Sequence, residues 1–148
     1  MNFLLNWHNN INLIIKPYIN FAETYEQIEN IILEKLNINL QNFTYEVVNR
    51  ETKEGFKMKY HRDNYLLRRY EDGYKFLLFD DCAIPTYSLI WYKNEDFTGG
   101  SLEFIDNNLI KPKKNMFIFF DSNHLHKVNK QLSGFRIVTI YKYYKKNV

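Results

Sequence analysis

Met116-Phe117-Ile118-Phe119-Phe120 and Phe135-Arg136-Ile137-Val138-Thr139-Ile140-Tyr141 decide the fold. Both stretches are built from β-branched and aromatic residues, which suit a pleated strand. Both are also apolar or bulky on each face. Such strands need a barrel interior on one side and a covering element on the other.

Outward from these two stretches the period of two continues. Strands are expected near 43–49, 56–61, 65–70, 74–79, 86–93, 101–105, 109–111, 116–120, 125–128 and 135–144. The breaks carry turn residues: Glu54-Gly55, Glu71-Asp72-Gly73, Gly99-Gly100, Asp106-Asn107-Asn108, Lys114-Asn115 and Ser133-Gly134. Tyr65–Tyr70 and Tyr74–Phe79 flank one of them and read as a short hairpin.

Helical spacing is confined to the first 40 residues. In AETYEQIENIILEKL, apolar positions Tyr25, Ile28, Ile31, Ile32 and Leu36 recur every three or four residues. This predicts an amphipathic helix from Ala22 to about Leu36, with Asn20 as its cap. A shorter helix is expected from Asn10 to Ile15, ending at Pro17. The expected fold class is therefore mainly β: a double-stranded β-helix (jelly-roll barrel) with the N-terminal α-helix packed on the outer face of one sheet. One domain is expected over 1–148, with helical cover over 1–41 and the jelly-roll core over 42–148.

Composition narrows the class. The 148 residues include 12 Phe, 12 Tyr and 2 Trp but only two Ala, which favours sheet over a helical bundle. No apolar run approaches the ~20 residues of a membrane span, so no membrane association is expected. A net charge of +3 is too small to imply nucleic acid by itself. The start, MNFLLNWHNN, has neither a basic region nor a small-residue cleavage site, and does not read as a signal peptide. The single cysteine, Cys82, excludes an internal disulfide and a Cys-based zinc cluster. A cytoplasmic or otherwise intracellular setting is the expectation.

Polar residues near strand ends carry the candidate chemistry. His61 and Asp63 stand two apart, so a strand points both to one side. His124 and His126 follow at the start of a later strand. Two histidines and one carboxylate on one face leave three positions open on an octahedral ion, the facial triad of non-haem Fe(II) sites. Arg136 shares a strand face with Val138 and Ile140 and cannot be buried unpaired without a large cost. Either an internal carboxylate such as Glu103 pairs with it, or an anionic ligand does.

Taken together, the order His61-x-Asp63, Tyr92-Lys93-Asn94, Gly99-Gly100-Ser101-Leu102-Glu103-Phe104, His126-x-Val128 and Gly134-x-Arg136 resembles the prolyl-hydroxylase-like 2-oxoglutarate/Fe(II)-dependent dioxygenases. The resemblance spans about residues 45–144. It implies His61, Asp63 and His126 as iron ligands, the spacing preferring His126 to His124. It further implies Arg136 and Tyr92 on the distal carboxylate of 2-oxoglutarate, with Thr139 as a further contact. Two positions depart from the family pattern: Val138 stands where relatives often carry Ser, and Glu51 where they often carry Tyr.

The implied activity is hydroxylation of a C–H bond coupled to decarboxylation of 2-oxoglutarate to succinate, with Fe(2+) as cofactor, 2-oxoglutarate and O2 as cosubstrates, and ascorbate a further candidate. A peptidyl, prolyl-type substrate is expected. The alternatives are a nucleic-acid base oxygenase of the same fold and a non-catalytic jelly-roll binding module. The chain holds little beyond the barrel and one helix, so a dimer or partner chain would be one way to complete a substrate groove. Arg68 and Arg69 near the mouth are candidate substrate contacts, and the tail 141–148 reads as a solvated end.

Overall fold

A computed structural model of the chain describes residues 16–63, 67–70, 73–76, 85–106 and 108–146, with backbone alone for 67–70 and 73–76. The helix expected over 10–15, the residues Phe3, Trp7 and His8, and Cys82 lie outside the described residues. So do the side chains of Arg68 and Arg69.

The one α-helix among the described residues, α1 (Tyr25–Leu36), starts three residues later than its periodicity suggests. Thr24 accepts from the Gln27 N–H and the Gln27 side chain accepts in return from the Thr24 N–H, so a capping box fixes the start. The Thr-x-x-Gln signature stands in the sequence and outweighs Asn20 as a cap. Asn20 instead lies in a short strand, β1 (Tyr18–Phe21), and bonds the Tyr18 hydroxyl. A strand of four residues between Pro17 and a capped helix is too short to show a period. That strand forms because the edge of the sheet offers it a partner.

The remaining strands are β2 (Phe43–Thr52), β3 (Met58–His61), β4 (Leu67–Tyr70), β5 (Gly73–Phe76), β6 (Tyr87–Tyr92), β7 (Phe97–Gly99), β8 (Leu102–Phe104), β9 (Leu109–Ile110), β10 (Met116–Asp121), β11 (His126–Val128), β12 (Gln131–Gly134) and β13 (Arg136–Lys145). A five-stranded antiparallel sheet runs β1-β10-β6-β13-β2, and a four-stranded sheet runs β3-β11-β8-β9. β4 and β5 form the expected hairpin. β7 and β12, neither among the expected strands, pair as a separate ribbon that takes in the turn residues Gly99, Ser133 and Gly134. Gly134 explains why: at φ 78° its place against the Asp96 carbonyl leaves no room for a Cβ.

Alternation gives the large sheet two different faces. Outward go Leu89, Trp91, Phe117, Phe119, Tyr141 and Tyr143, which pack with Ile28 and Ile32 of α1. Inward go Ile90, Tyr92, Ile118, Phe120 and Val138, which meet Leu102, Phe104, Ile110 and Val128 from the smaller sheet. This is the jelly-roll barrel with its outer helix. Ile28 and Ile32 are fully buried, each contributing about 1.5–3 kcal/mol of apolar burial. The helix does not reach the start of β13, where Ile137 stays partly exposed. The segment after residue 140 is no solvated end, since Tyr141 and Tyr143 belong to the core beneath α1.

Candidate metal centre

β3 and β11 are neighbours in the smaller sheet, and their register sets His126 directly opposite His61. The chain leaves β3 at His61, and Asp63 is anchored two residues on by its N–H to the Ser122 carbonyl at 2.8 Å. The three side chains converge. Asp63 Oδ1 lies 3.4 Å from His61 Nε2 and 3.4 Å from His126 Nε2, and the donor atoms all lie within 4.8 Å of one another.

Each histidine is oriented from behind. His61 Nδ1 donates to the Lys59 carbonyl and His126 Nδ1 to the His124 carbonyl, both at 2.8 Å. A carbonyl only accepts, so Nδ1 of each ring carries a proton and Nε2 is the atom turned to the carboxylate. Phe120 packs edge-on to the His126 ring at 4.8 Å, with Phe104 at 5.7 Å. Burial alone would raise the Asp63 carboxyl, but the two histidines and Lys142 more than reverse this and hold it well below the usual carboxylate range. Three electron-pair donors facing one another at this spacing suit a divalent cation between them.

His124 lies outside the cluster. Its ring packs edge-on to Phe104, with Nε2 3.9 Å from Asp106, and its contribution to the site is the backbone carbonyl that orients His126.

Inside the same barrel, Arg136 and Tyr92 are buried. The guanidinium stands 5.7 Å from the Tyr92 ring and 5.6 Å from the Phe56 ring, with one long bond, 3.5 Å, to the Thr52 hydroxyl. No carboxylate among the described residues pairs with it. Glu103 faces the other way, accepting from the Tyr60 hydroxyl at 2.7 Å and lying 3.5 Å from Lys127. Arg136 Nε and the Tyr92 hydroxyl are both buried without a hydrogen-bond partner among the described residues. Burial raises the Tyr92 hydroxyl above its ordinary pKa and the adjacent Arg136 offsets part of that rise. A buried cation beside an idle hydroxyl is chemically suited to receive a carboxylate.

Thr139 is not brought to this pocket. Strand alternation turns it to the opposite face from Arg136, where its hydroxyl donates to Asn49 Oδ1 at 2.8 Å. Gly100 does approach: a Cβ there would stand 3.5 Å from Arg136 Cδ, at a φ of +67° that only glycine adopts freely.

Sequence reasoning missed the groups behind Asp63. Its Oδ2 accepts from Ser88 Oγ at 2.7 Å and pairs with Lys142 Nζ at 2.7 Å. Lys142 is six residues after Arg136 and therefore on the same strand face. That alternation was available, but the lysine-rich composition of the tail masked it.

Residues 47–145 match the profile of the 2OG-Fe(II) oxygenase superfamily. The chain belongs to that superfamily. It is a 2-oxoglutarate- and Fe(II)-dependent dioxygenase, with Fe(II) as cofactor and 2-oxoglutarate and O2 as cosubstrates. No curated protein matches the chain in sequence. Among solved structures it is similar to the viral collagen prolyl hydroxylase of Paramecium Bursaria Chlorella virus-1 in its 2OG complex. There the TM-score is 0.60 at 20% identity, over 99% of this chain and 89% of that one. A Pseudomonas putida prolyl-4-hydroxylase gives 0.56 at 16% identity, over 98% and 79%. The Trichoplax adhaerens prolyl hydroxylase in complex with a hypoxia inducible factor peptide fragment gives 0.51 at 16%, over 96% and 74%. These likenesses are likenesses of fold. No helix among the described residues is long and apolar enough to cross a membrane.

Proposed function

We propose that this oxygenase hydroxylates a peptidyl, prolyl-type substrate, with His61, Asp63 and His126 holding Fe(II) and Arg136 and Tyr92 holding the distal carboxylate of 2-oxoglutarate. The observation that carries the site assignment is the pair of idle buried groups, Arg136 Nε and the Tyr92 hydroxyl, in the barrel that also holds the His-Asp-His cluster. The structural relatives named above, one of them in complex with a peptide fragment, support the substrate class.

The iron, when bound, supplies the coupled activation of O2 and oxidation of 2-oxoglutarate to succinate and CO2. The chain's own part is binding, orientation and exclusion of water. The Lys59 and His124 carbonyls hold both imidazoles with Nε2 forward. The guanidinium of Arg136 neutralises the cosubstrate's far carboxylate, and the Tyr92 hydroxyl donates to it. Phe104, Phe120 and Val138 keep the inner barrel apolar. The segment 1–41 and the core 42–148 act as one domain in this reading, supported by the seating of α1 on the outer face.

The test is succinate release from 2-oxoglutarate with a proline-containing peptide array. Peptide-stimulated, O2-dependent succinate is expected, together with a 16-mass-unit gain on the peptide. Stimulation by single-stranded nucleic acid and by no peptide would replace the substrate class, and that binding would weaken steeply with salt.

A further inference from the structure

Asp63 has two carboxylate oxygens, and the structure uses them differently. Oδ1 faces His61 and His126 at 3.4 Å from each Nε2. Oδ2 turns away, accepts from Ser88 Oγ at 2.7 Å and lies 2.7 Å from Lys142 Nζ. Ser88 Oγ also lies 3.0 Å from Ser122 Oγ, and the Ser122 carbonyl accepts from the Asp63 N–H. Backbone and side chain of Asp63 are thus tied to one serine pair. Among the described residues that hold Oδ2, Lys142 is the charged one, reaching in from β13 with about a quarter of its side chain exposed.

We propose that Lys142 is a charge-screening residue for Asp63, pairing with Oδ2 while Oδ1 faces the two histidines, and biasing the site toward Fe(II) over Fe(III). The proposal rests on the assignment of His61, Asp63 and His126 as ligands. Two arguments carry it. First, the lone pairs of Oδ2 are already directed at Ser88 and Lys142, so the carboxylate cannot swing both oxygens onto one ion without breaking two short contacts. Second, a cation on the far oxygen draws electron density from the near one and repels an ion bound there. That repulsion grows with the ion's charge, so the ferric form is disfavoured more than the ferrous form. The oxygenase reaction begins from Fe(II), so a group opposing one-electron loss keeps the resting site competent.

A purely structural brace makes the opposite forecast. If Lys142 only held Asp63 in place, its loss would loosen the ligand and weaken metal binding. If it screens charge, its loss strengthens metal binding, provided Ser88 still holds Oδ2.

The experiment uses the full chain without 2-oxoglutarate. Co(II) affinity is measured by calorimetry, and the Fe(III)/Fe(II) midpoint potential by anaerobic mediated titration. Variants are Lys142→Gln, which keeps a hydrogen-bond donor without the charge, Lys142→Met and Lys142→Arg. Both uncharged variants should bind Co(II) about tenfold tighter. Their midpoint potential should fall, by about 59 mV for each tenfold gain of ferric over ferrous affinity. Lys142→Arg should restore the wild-type values. Unchanged or weaker Co(II) binding with an unmoved potential in Lys142→Gln overturns the proposal while leaving the ligand assignment standing. Wild-type chain that binds no Co(II) overturns the ligand assignment and the proposal with it.

Discussion

The two faces of the five-stranded sheet are made by alternate residues of the same strands, yet they are built to different rules. On the outer face, Trp91 donates to the Ala22 carbonyl at 3.1 Å and the Tyr25 and Tyr143 hydroxyls bond each other at 2.8 Å. The polar atoms of these buried aromatics are partnered, and α1 seals them. On the inner face, Tyr92 and Arg136 are equally buried and have idle donor atoms. The difference separates stability from function along a single strand: β13 carries Tyr141 and Tyr143 outward and Arg136, Val138 and Lys142 inward. The outer face holds the barrel closed. The inner face leaves buried polar donors without a partner among the described residues, where the proposed cosubstrate would sit.

The sharpest way to break this division is at the metal cluster. His61→Ala or Asp63→Ala should abolish stoichiometric Fe(II) binding and succinate release, while circular dichroism still reports the folded barrel. Unchanged turnover in either variant would remove the cluster from the reaction.

The mirror experiment is Ile32→Ala on the outer face. A fully buried isoleucine truncated to alanine costs about 2–5 kcal/mol, which lowers Tm by roughly 5–15 °C. Fe(II) affinity of the folded chain should not move. If it falls in proportion to stability, the two faces are not independent.

Arg136→Met tests the inner face directly. Because no described carboxylate pairs with Arg136, removing it leaves no buried charge unpaired, and thermal stability should hold or rise. The KM for 2-oxoglutarate should rise by about 30-fold or more, the loss of a buried charge partner being worth about 2–5 kcal/mol. A fall in stability with an unmoved KM would make Arg136 a structural residue.

The smallest effect belongs to the tyrosine pair. Burial, the largest cause in each case, pushes the hydroxyls of both Tyr25 and Tyr143 above the ordinary value of 10. A raised folded-state pKa gives stability that is complete below the unfolded value and lost as pH rises beyond it. Denaturant midpoints should therefore hold to about pH 9 and decline above pH 10. Tyr143→Phe should cost about 1 kcal/mol at pH 7 and flatten that decline.

How far the sequence discloses this arrangement depends on whether the signal is periodic or geometric. Alternation in 116–120 and 135–141 announces two-sided strands, and the periodicity around Ile28 and Ile32 announces their cover. Both features are carried by spacing alone. β1, β7 and β12 leave no such trace, because strands of three or four residues are settled by an available edge and by glycines at positive φ. At the site, His61-x-Asp63 is visible as a two-residue spacing, and His126 with Arg136 as positions in a family pattern. Thr139 shows the limit of pattern without geometry, since its strand face points it to Asn49. Ser88 and Lys142 show the reverse case: they touch Asp63 through contacts 25 and 79 positions apart, which no local pattern encodes.

The most direct measurement is anaerobic calorimetry of 2-oxoglutarate binding to the Fe(II)-loaded chain and to its Arg136→Met and His126→Ala variants. One Fe(II) and one 2-oxoglutarate per wild-type chain are expected, with cosubstrate binding weakened in Arg136→Met and iron binding lost in His126→Ala. Equal 2-oxoglutarate affinity in wild type and Arg136→Met, or stoichiometric iron in His126→Ala, would contradict the assignment of this barrel's inner face to the reaction.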